Sequence, residues 1–102
     1  MKNPLIYDNR DALEQVCRQY YVSKLYLFGS ALTEKFSDDS DVDFLVIFQE
    51  NIDLAYYADN YFDFTDSLEK IFGRKIDLQK DKAIKNPYFR RAVDATKQLV
   101  YG

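Results

Sequence analysis

The chain has 102 residues, a formal net charge of -3 and a hydrophobic content of 47%. This length predicts a single domain over residues 1–102, and the hydrophobic content excludes a disordered chain. Because the sequence has no histidine and a single cysteine, it excludes histidine-based catalysis, a histidine-bound zinc ion and an internal disulfide.

The same composition bounds the location and the partners of the protein. One cysteine is typical of a reducing compartment, no apolar run has the length of a membrane span, and the N-terminus lacks the apolar core of a signal peptide. We therefore predict a cytoplasmic protein with no membrane association. The acidic balance also argues against nucleic acid as the partner, although it leaves room for a local basic patch.

The N-terminal part of the chain predicts one amphipathic helix. Residues 1–7 are expected to be an entry segment, and Asp8 or Asn9 can cap a helix that runs to about residue 20. Cys17 lies on the apolar stripe of this helix and is predicted to be part of the core.

Two further helices are predicted in the second half of the chain. The longer begins at Asn51 or Asp53 and ends at Gly73, which suits a left-handed helix terminus. Its predicted apolar stripe has the following members: Leu54, Tyr57, Ala58, Tyr61, Thr65, Leu68, Ile71 and Phe72. The last helix covers residues 87–95, with Pro87 in its first turn.

Four apolar stretches between these helices predict strands. They cover residues 24–28, 41–48, 75–79 and 97–101, and a short helix over 30–35 and a turn over 36–40 join the first two. The apolar run of the second strand is continuous, so both of its faces should be covered. The alternation of strands and helices predicts an α/β (α+β) fold, a small mixed sheet of about four strands with helices packed on it.

Gly29 and Ser30 follow the first strand directly. A glycine here lets the backbone approach a ligand closely, and a helix that starts here aims amide groups at an anion such as a phosphate. The alternative is an ordinary turn with a serine cap, since both residue types favour turns.

Asp41 and Asp43 open the second strand, where residues two apart point to the same face. Two neighbouring carboxylates repel each other, and a divalent cation with oxygen ligands is the usual counter-charge. The alternative is a cluster of turn-forming side chains over residues 38–41. Asp43 fits that alternative poorly, because five apolar residues follow it.

Asp77 is the third candidate carboxylate, flanked by Ile76 and Leu78 in the predicted strand 75–79. If this strand lies beside strand 41–48, Asp77 completes a cluster of three acids that can hold two Mg²⁺ ions for phosphoryl or nucleotidyl transfer. Otherwise it is a solvent-facing residue on an edge strand.

The order Gly29-Ser30, ten intervening residues, Asp41-Val42-Asp43 and a later Asp77 resembles the signature of the polymerase-β-like nucleotidyltransferases. Within that superfamily the chain is similar to the minimal nucleotidyltransferases (MNT), the antitoxins of HEPN/MNT toxin–antitoxin modules. The sequence Ser40-Asp41-Val42-Asp43 and the segments 75–78 and 86–88 carry this similarity.

The resemblance implies that Asp41, Asp43 and Asp77 hold two Mg²⁺ ions and carry catalysis, and that Gly29, Ser30 and Ser40 bind the nucleotide. It implies that AMP passes from ATP to a tyrosine of the HEPN-type toxin. The protein would then work in contact with that partner, as part of a homo- or hetero-oligomer.

Two other functions stay open at this point. Many family members carry Ala-Arg-Gly where this chain has residues 32–34, Leu-Thr-Glu, and an antitoxin that masks its partner without catalysis would tolerate that change. Tyr56 and Phe62, which fall off the helix stripe, would suit such an interface. The second alternative is a small-molecule nucleotidyltransferase of the aminoglycoside-modifying type. A basic C-terminal region (Lys80, Lys82, Lys85, Arg90 and Arg91) is either solvated charge or a contact for triphosphate or an acidic partner.

Overall fold

The computed structural model describes residues 3–102, except for the side chain of Leu54. Within these residues the helices and strands are α1 (Pro4–Asp8), α2 (Arg10–Gln19), β1 (Val22–Phe28), β2 (Val42–Phe48), α3 (Tyr57–Phe72), β3 (Ile76–Lys80), α4 (Pro87–Thr96) and β4 (Gln98–Tyr101). Three short 3-10 turns lie between them: Gly29–Leu32, Leu54–Tyr56 and Asp81–Ala83.

The four strands form one sheet in the order β3-β2-β1-β4. β1 pairs antiparallel with both β2 and β4, whereas β2 and β3 are parallel and α3 makes the crossover between them. The predicted mixed sheet of four strands with packed helices is therefore confirmed. None of the helices in residues 3–102 has the length and apolarity needed to cross a membrane.

β2 has apolar side chains on both faces, as its sequence predicted. Phe44 and Val46 belong to the main core, which also contains buried residues of α2 and α3. Leu45, on the other face, packs with Phe28 and with Val93 of α4. Because α4 covers this second face only in part, the sheet keeps an open region beside that helix.

α3 buries a stripe that differs from the predicted one. Its fully or nearly buried residues are Phe64, Leu68 and Phe72, spaced by four. The prediction missed Phe64 and wrongly included Ala58, which is exposed. Phe64 is buried because its ring meets the rings of Tyr20 and Phe48 across the core.

The start of α3 is also later than predicted. The backbone N–H of Tyr56 donates to the carbonyl of Asp53 at 3.0 Å, which closes a 3-10 turn before the α-helix begins at Tyr57, and the Asp53 side chain accepts from the N–H of Ala55 at 3.0 Å. The predicted stripe member Leu54 lies outside the described side chains. Gly73 ends the helix with φ of 64°, as expected.

The N-terminal segment is helical where the sequence suggested only an entry segment. Asn3 accepts a hydrogen bond from the N–H of Leu5 at 3.0 Å and so caps α1, in which Pro4 takes the first position. Asn9 is the capping position of α2, but its side chain donates to the carbonyl of Leu5 at 2.8 Å and makes no cap. Cys17 is fully buried in the core, as predicted.

Candidate active site

Gly29 sits where β1 ends and has φ of +76°, a conformation that side chains with a β-carbon rarely adopt. A β-carbon at this position would collide with the carboxyl group of Asp43, whose carbon would lie 3.1 Å away. The backbone of Gly29 and the Asp43 carboxylate can therefore be neighbours only because residue 29 is a glycine.

The segment after Gly29 is a single 3-10 turn, Gly29–Leu32, and not the predicted helix over 30–35. The turn stops because Thr33 is extended and donates to the carbonyl of Ser30 with both its N–H and its hydroxyl, each at 2.9 Å. The backbone N–H of Ser30 lies close enough to the carboxylate of Asp43 to lower its pKa. The single turn therefore does not present the row of helix amides that was expected here.

Asp43 and Asp77 are brought together by the sheet. They occupy the same register position in the parallel pair β2–β3, and Phe28 of β1 is the partner of Asp43 on its other side. Asp41 lies one residue before β2 and is exposed. The sequence predicted this neighbourhood correctly for Asp43 and Asp77, whereas Asp41 is held by a loop.

The Asp43 carboxyl group is harder to ionise than an ordinary aspartate. Its pKa rises from the ordinary 3.8 to about 6; burial is the largest cause, followed by the charge of Asp77, a hydrogen bond with Asp77 and the charge of Asp41. The Ser30 N–H acts in the opposite direction and lowers this pKa. Like-charged carboxylates that face each other in this way are stabilised by any cation that binds between them.

An open cavity of about 400 Å³ lies in front of these acids. Its floor comes from the ends of β1, β2 and β3, and its far wall is one face of α4. The lining residues are Phe28, Gly29, Asp43, Asp77, Gln79, Phe89, Ala92, Val93 and Thr96. One side of the cavity therefore carries the acids and the other is largely apolar, an arrangement that suits a ligand that brings a cation to the acids and an apolar group to α4.

The loop that leads into Asp41 is held by Ser40 and Arg74. The hydroxyl of Ser40 accepts from the N–H of Ser37 at 3.1 Å, and Arg74 donates to the carbonyls of both serines at 3.0 Å. Ser40, a predicted nucleotide-binding residue, thus has a visible part in closing this loop. Its predicted contact with nucleotide stays a prediction.

The donor set fits a hard divalent cation. Asp41, Asp43 and Asp77 offer carboxylate oxygens, the ligands that Mg²⁺ prefers, and a bound cation would oppose the repulsion that raises the pKa of Asp43. Within residues 3–102, no three acidic or other ligating side chains are already arranged closely enough to enclose an ion. Asp43 and Asp77 already lie side by side on the sheet, and Asp41, in the loop before β2, would be the third ligand.

Several basic residues of the C-terminal region are engaged elsewhere. Arg90 pairs with Asp81 at 2.8 Å and with Asp94 at 3.4 Å, and Lys97 pairs with Asp94 at 2.9 Å. Lys80 lies over two tyrosine rings, with its Nζ 4.8 Å from each centroid. For these residues the structure favours structural roles over triphosphate contact.

Comparison with known proteins identifies the family. A family model described as polymerase beta, nucleotidyltransferase matches residues 11–102. The chain belongs to the polymerase-β nucleotidyltransferase family. The archaeon Methanocaldococcus jannaschii has a relative named "Putative protein adenylyltransferase MJ1379", which is 35% identical over 83 residues; these cover 81% of this nucleotidyltransferase and 79% of that protein.

Solved structures share the fold. "Structure of putative minimal nucleotidyltransferase" aligns with a TM-score of 0.74 and 23% identity over 96% of this nucleotidyltransferase and 95% of that chain. A complex of tri-AMPylated HEPN toxin with MNT antitoxin from Shewanella oneidensis aligns at 0.64 and 16%, over 95% and 72%. A toxin–antitoxin structure with AMP-PNP aligns at 0.69 and 18%, over 92% and 73%. The predicted membership in the polymerase-β-like nucleotidyltransferases is confirmed, and a minimal nucleotidyltransferase shares the fold of the chain.

Sequence reasoning missed the helical wall of the cavity and the role of Arg74. Phe89, Ala92, Val93 and Thr96 follow helical spacing, so the shared face was detectable, although nothing in the pattern said that it faces the acids. Gln79 follows Asp77 by two residues in a strand and donates to it at 3.3 Å. For Arg74 the sequence contains no comparable signal.

Proposed function

We propose that this nucleotidyltransferase is a Mg²⁺-dependent protein adenylyltransferase that transfers AMP from ATP to a tyrosine of a HEPN-type toxin and thereby acts as its antitoxin. The observation that carries the proposal is the pair Asp43 and Asp77, side by side on parallel strands and facing a cavity. Support for the donor and partner comes from relatives that are named protein adenylyltransferases and from the HEPN complex of the same fold.

In the proposed reaction the phenolic oxygen of the acceptor tyrosine attacks the α-phosphorus of ATP. The bond from this phosphorus to the bridging oxygen breaks, pyrophosphate leaves, and a phosphodiester joins tyrosine to AMP. Bound Mg²⁺ would be held by Asp41, Asp43 and Asp77 and would supply charge neutralisation at the triphosphate and the attacking oxygen.

The residues of the chain have separate tasks in this scheme. Asp77 is exposed at the cavity edge, where its carboxylate can accept the phenolic proton. The chain has no histidine that could take this role. Gly29 leaves the space that the Asp43 carboxylate occupies, and the Ser30 hydroxyl can donate to a phosphate oxygen. The apolar wall of α4 would exclude water from one side of the site.

The test is transfer of label from α-³²P-ATP to a HEPN-type toxin. We expect label on the toxin from α-³²P-ATP and none from γ-³²P-ATP, since only the AMP moiety moves. The double variant Asp41→Asn/Asp43→Asn should lose the label, and Asp63→Asn, an exposed change on α3, should keep it. A labelled toxin should lose its label when the acceptor tyrosine found by mass spectrometry is changed to phenylalanine. No label on the toxin with folded wild-type protein would refute the catalytic proposal.

A second candidate function is an antitoxin that masks its partner without catalysis. Exposed aromatic rings favour it: Tyr56 is 66% exposed, Phe62 62% and Tyr88 79%. Such rings are enriched in protein interfaces. This alternative predicts that folded Asp41→Asn/Asp43→Asn still protects cells from the toxin, while the adenylyltransferase predicts that protection is lost.

A further inference from the structure

Arg74 connects the end of α3 to the loop in front of Asp41. Its Nη1 donates to the carbonyl of Ser37 and to the carbonyl of Ser40, each at 3.0 Å. Its guanidinium carbon also lies 4.6 Å from the centroid of the Phe36 ring. One side chain thereby contacts both ends of the segment 36–40.

The two peptide groups that flank Asp41 are both anchored to the same connection. On its N-terminal side, the Ser40 carbonyl accepts from Arg74. On its C-terminal side, the N–H of Val42 donates to the carbonyl of Lys75 at 3.1 Å. Residues 74 and 75 therefore bracket Asp41, and β3, which carries Asp77, starts directly after them.

The loop has two other kinds of restraint. Ser37 and Ser40 bond to each other through backbone and hydroxyl groups, which closes the turn, and Phe36 packs against the main core at the N-terminal side of the loop. Arg74 adds the hydrogen bonds that tie the carbonyls of Ser37 and Ser40 to the connection before β3. Its planar guanidinium donates to two carbonyls and lies against a ring, a combination that a lysine cannot reproduce.

We infer that Arg74 is a positioning residue that fixes Asp41 relative to Asp43 and Asp77. The consequence for catalysis rests on the proposed function, because Asp41 matters there as a ligand of the cation. Metal ligands require support of this kind, and loss of an outer partner commonly costs roughly 10- to 100-fold in metal affinity.

The experiment compares Arg74→Met and Arg74→Lys with wild type in the absence of ATP and toxin. Hydrogen exchange measures the amide of Val42, with the amide of Leu45 in the middle of β2 as internal reference. We expect exchange at Val42 to rise by about tenfold or more in Arg74→Met and by less in Arg74→Lys, with Leu45 unchanged. Arg91→Met, an exposed arginine of α4, serves as the matched control and should change neither amide.

The second readout is binding of Mn²⁺ followed by electron paramagnetic resonance. We expect Arg74→Met to weaken Mn²⁺ binding by about tenfold or more, with Arg74→Lys intermediate and Arg91→Met unchanged. Wild-type exchange at Val42 together with wild-type Mn²⁺ affinity in folded Arg74→Met overturns the inference. If Arg74→Met does not fold, Arg74→Lys decides by the same two measurements.

Failure of the proposed function is recognised separately. If wild type transfers no AMP but the Arg74 variants raise hydrogen exchange at the Val42 amide and weaken Mn²⁺ binding, the proposed function is wrong and the positioning role stands. If wild type transfers AMP and Arg74→Met matches it in exchange, in Mn²⁺ affinity and in rate, the positioning role is wrong and the function stands.

Discussion

Replacing Asp43 by asparagine is expected to stabilise the metal-free protein while it abolishes the proposed activity. Burial and the charge of Asp77 raise the pKa of Asp43 from 3.8 to about 6 in the folded state. Well below pH 3.8 the carboxyl is protonated whether the chain is folded or not, so it costs nothing. Between pH of about 4 and 6 the unfolded chain ionises while the folded protein keeps the proton, so stability falls, and the loss is complete above the folded pKa of about 6.

The size of this loss follows from the shift. Two pKa units correspond to about 3 kcal/mol, and because Asp43 is only half-buried, solvent screening reduces this to roughly 1–2 kcal/mol. At pH 8 in a chelator, Asp43→Asn should therefore raise the free energy of unfolding by about 1–2 kcal/mol, and the melting temperature by roughly 5–10 °C. At pH 4 most of the difference should be gone.

Urea unfolding of wild type and Asp43→Asn between pH 4 and pH 8, with chelator present, measures this directly. The asparagine still offers an oxygen to the Ser30 N–H, so the comparison isolates the charge. Asp63→Asn, at an exposed position of α3, should change stability by less than about 0.5 kcal/mol at every pH. The reasoning is refuted if Asp43→Asn is no more stable than wild type at pH 8, or if the gain is the same at pH 4.

Three further substitutions test other contacts. Gly29→Ala should destabilise the fold by roughly 1–3 kcal/mol and abolish AMP transfer, because of the positive φ and the collision with the Asp43 carboxyl; calorimetry and the labelling assay measure these effects. Phe64→Ala should cost about 3–5 kcal/mol in urea unfolding, whereas Phe62→Ala, on the exposed side of the same helix, should cost less than about 1 kcal/mol. Asn86→Ala should cost about 1 kcal/mol, because Asn86 caps α4 through two backbone N–H groups; equal stability would show that the cap is dispensable.

The main elements of the fold were predictable because each has a strong local signal. The apolar run of β2, the stop at Gly73 and the proline at the start of α4 were recognised from the residues alone. α1 was missed because five helical residues leave almost no periodic pattern. The helix after Gly29 was predicted too long because Thr33 ends the turn through bonds to Ser30, a contact that residue spacing does not reveal.

The core of α3 shows how packing overrides a plausible stripe. The sequence of α3 allows several different apolar stripes along the helix. Which of them is buried depends on which ring meets the sheet. Phe64 is selected because Phe48 of β2 offers it an edge-to-face contact with the ring centroids 5.9 Å apart. That information belongs to the tertiary structure.

The candidate site was predictable to a similar degree. Asp43 and Asp77 were expected to meet if their strands were neighbours, and the parallel pair β2–β3 satisfies that condition. The position of Asp41 was harder, since its restraints are backbone carbonyls bound by an arginine from another part of the chain. The facing wall on α4 required the topology that places this helix over the second face of the sheet.

The burial of Cys17 gives the protein a built-in reporter of unfolding. It is the only thiol in the chain, it is fully buried, and burial is the main cause that raises its pKa to about 12. A thiolate is the form that reacts with disulfide reagents, so native protein should be inert to them. The rate at which such a reagent labels the chain therefore measures how often α2 separates from the sheet, without any dye, tag or substitution.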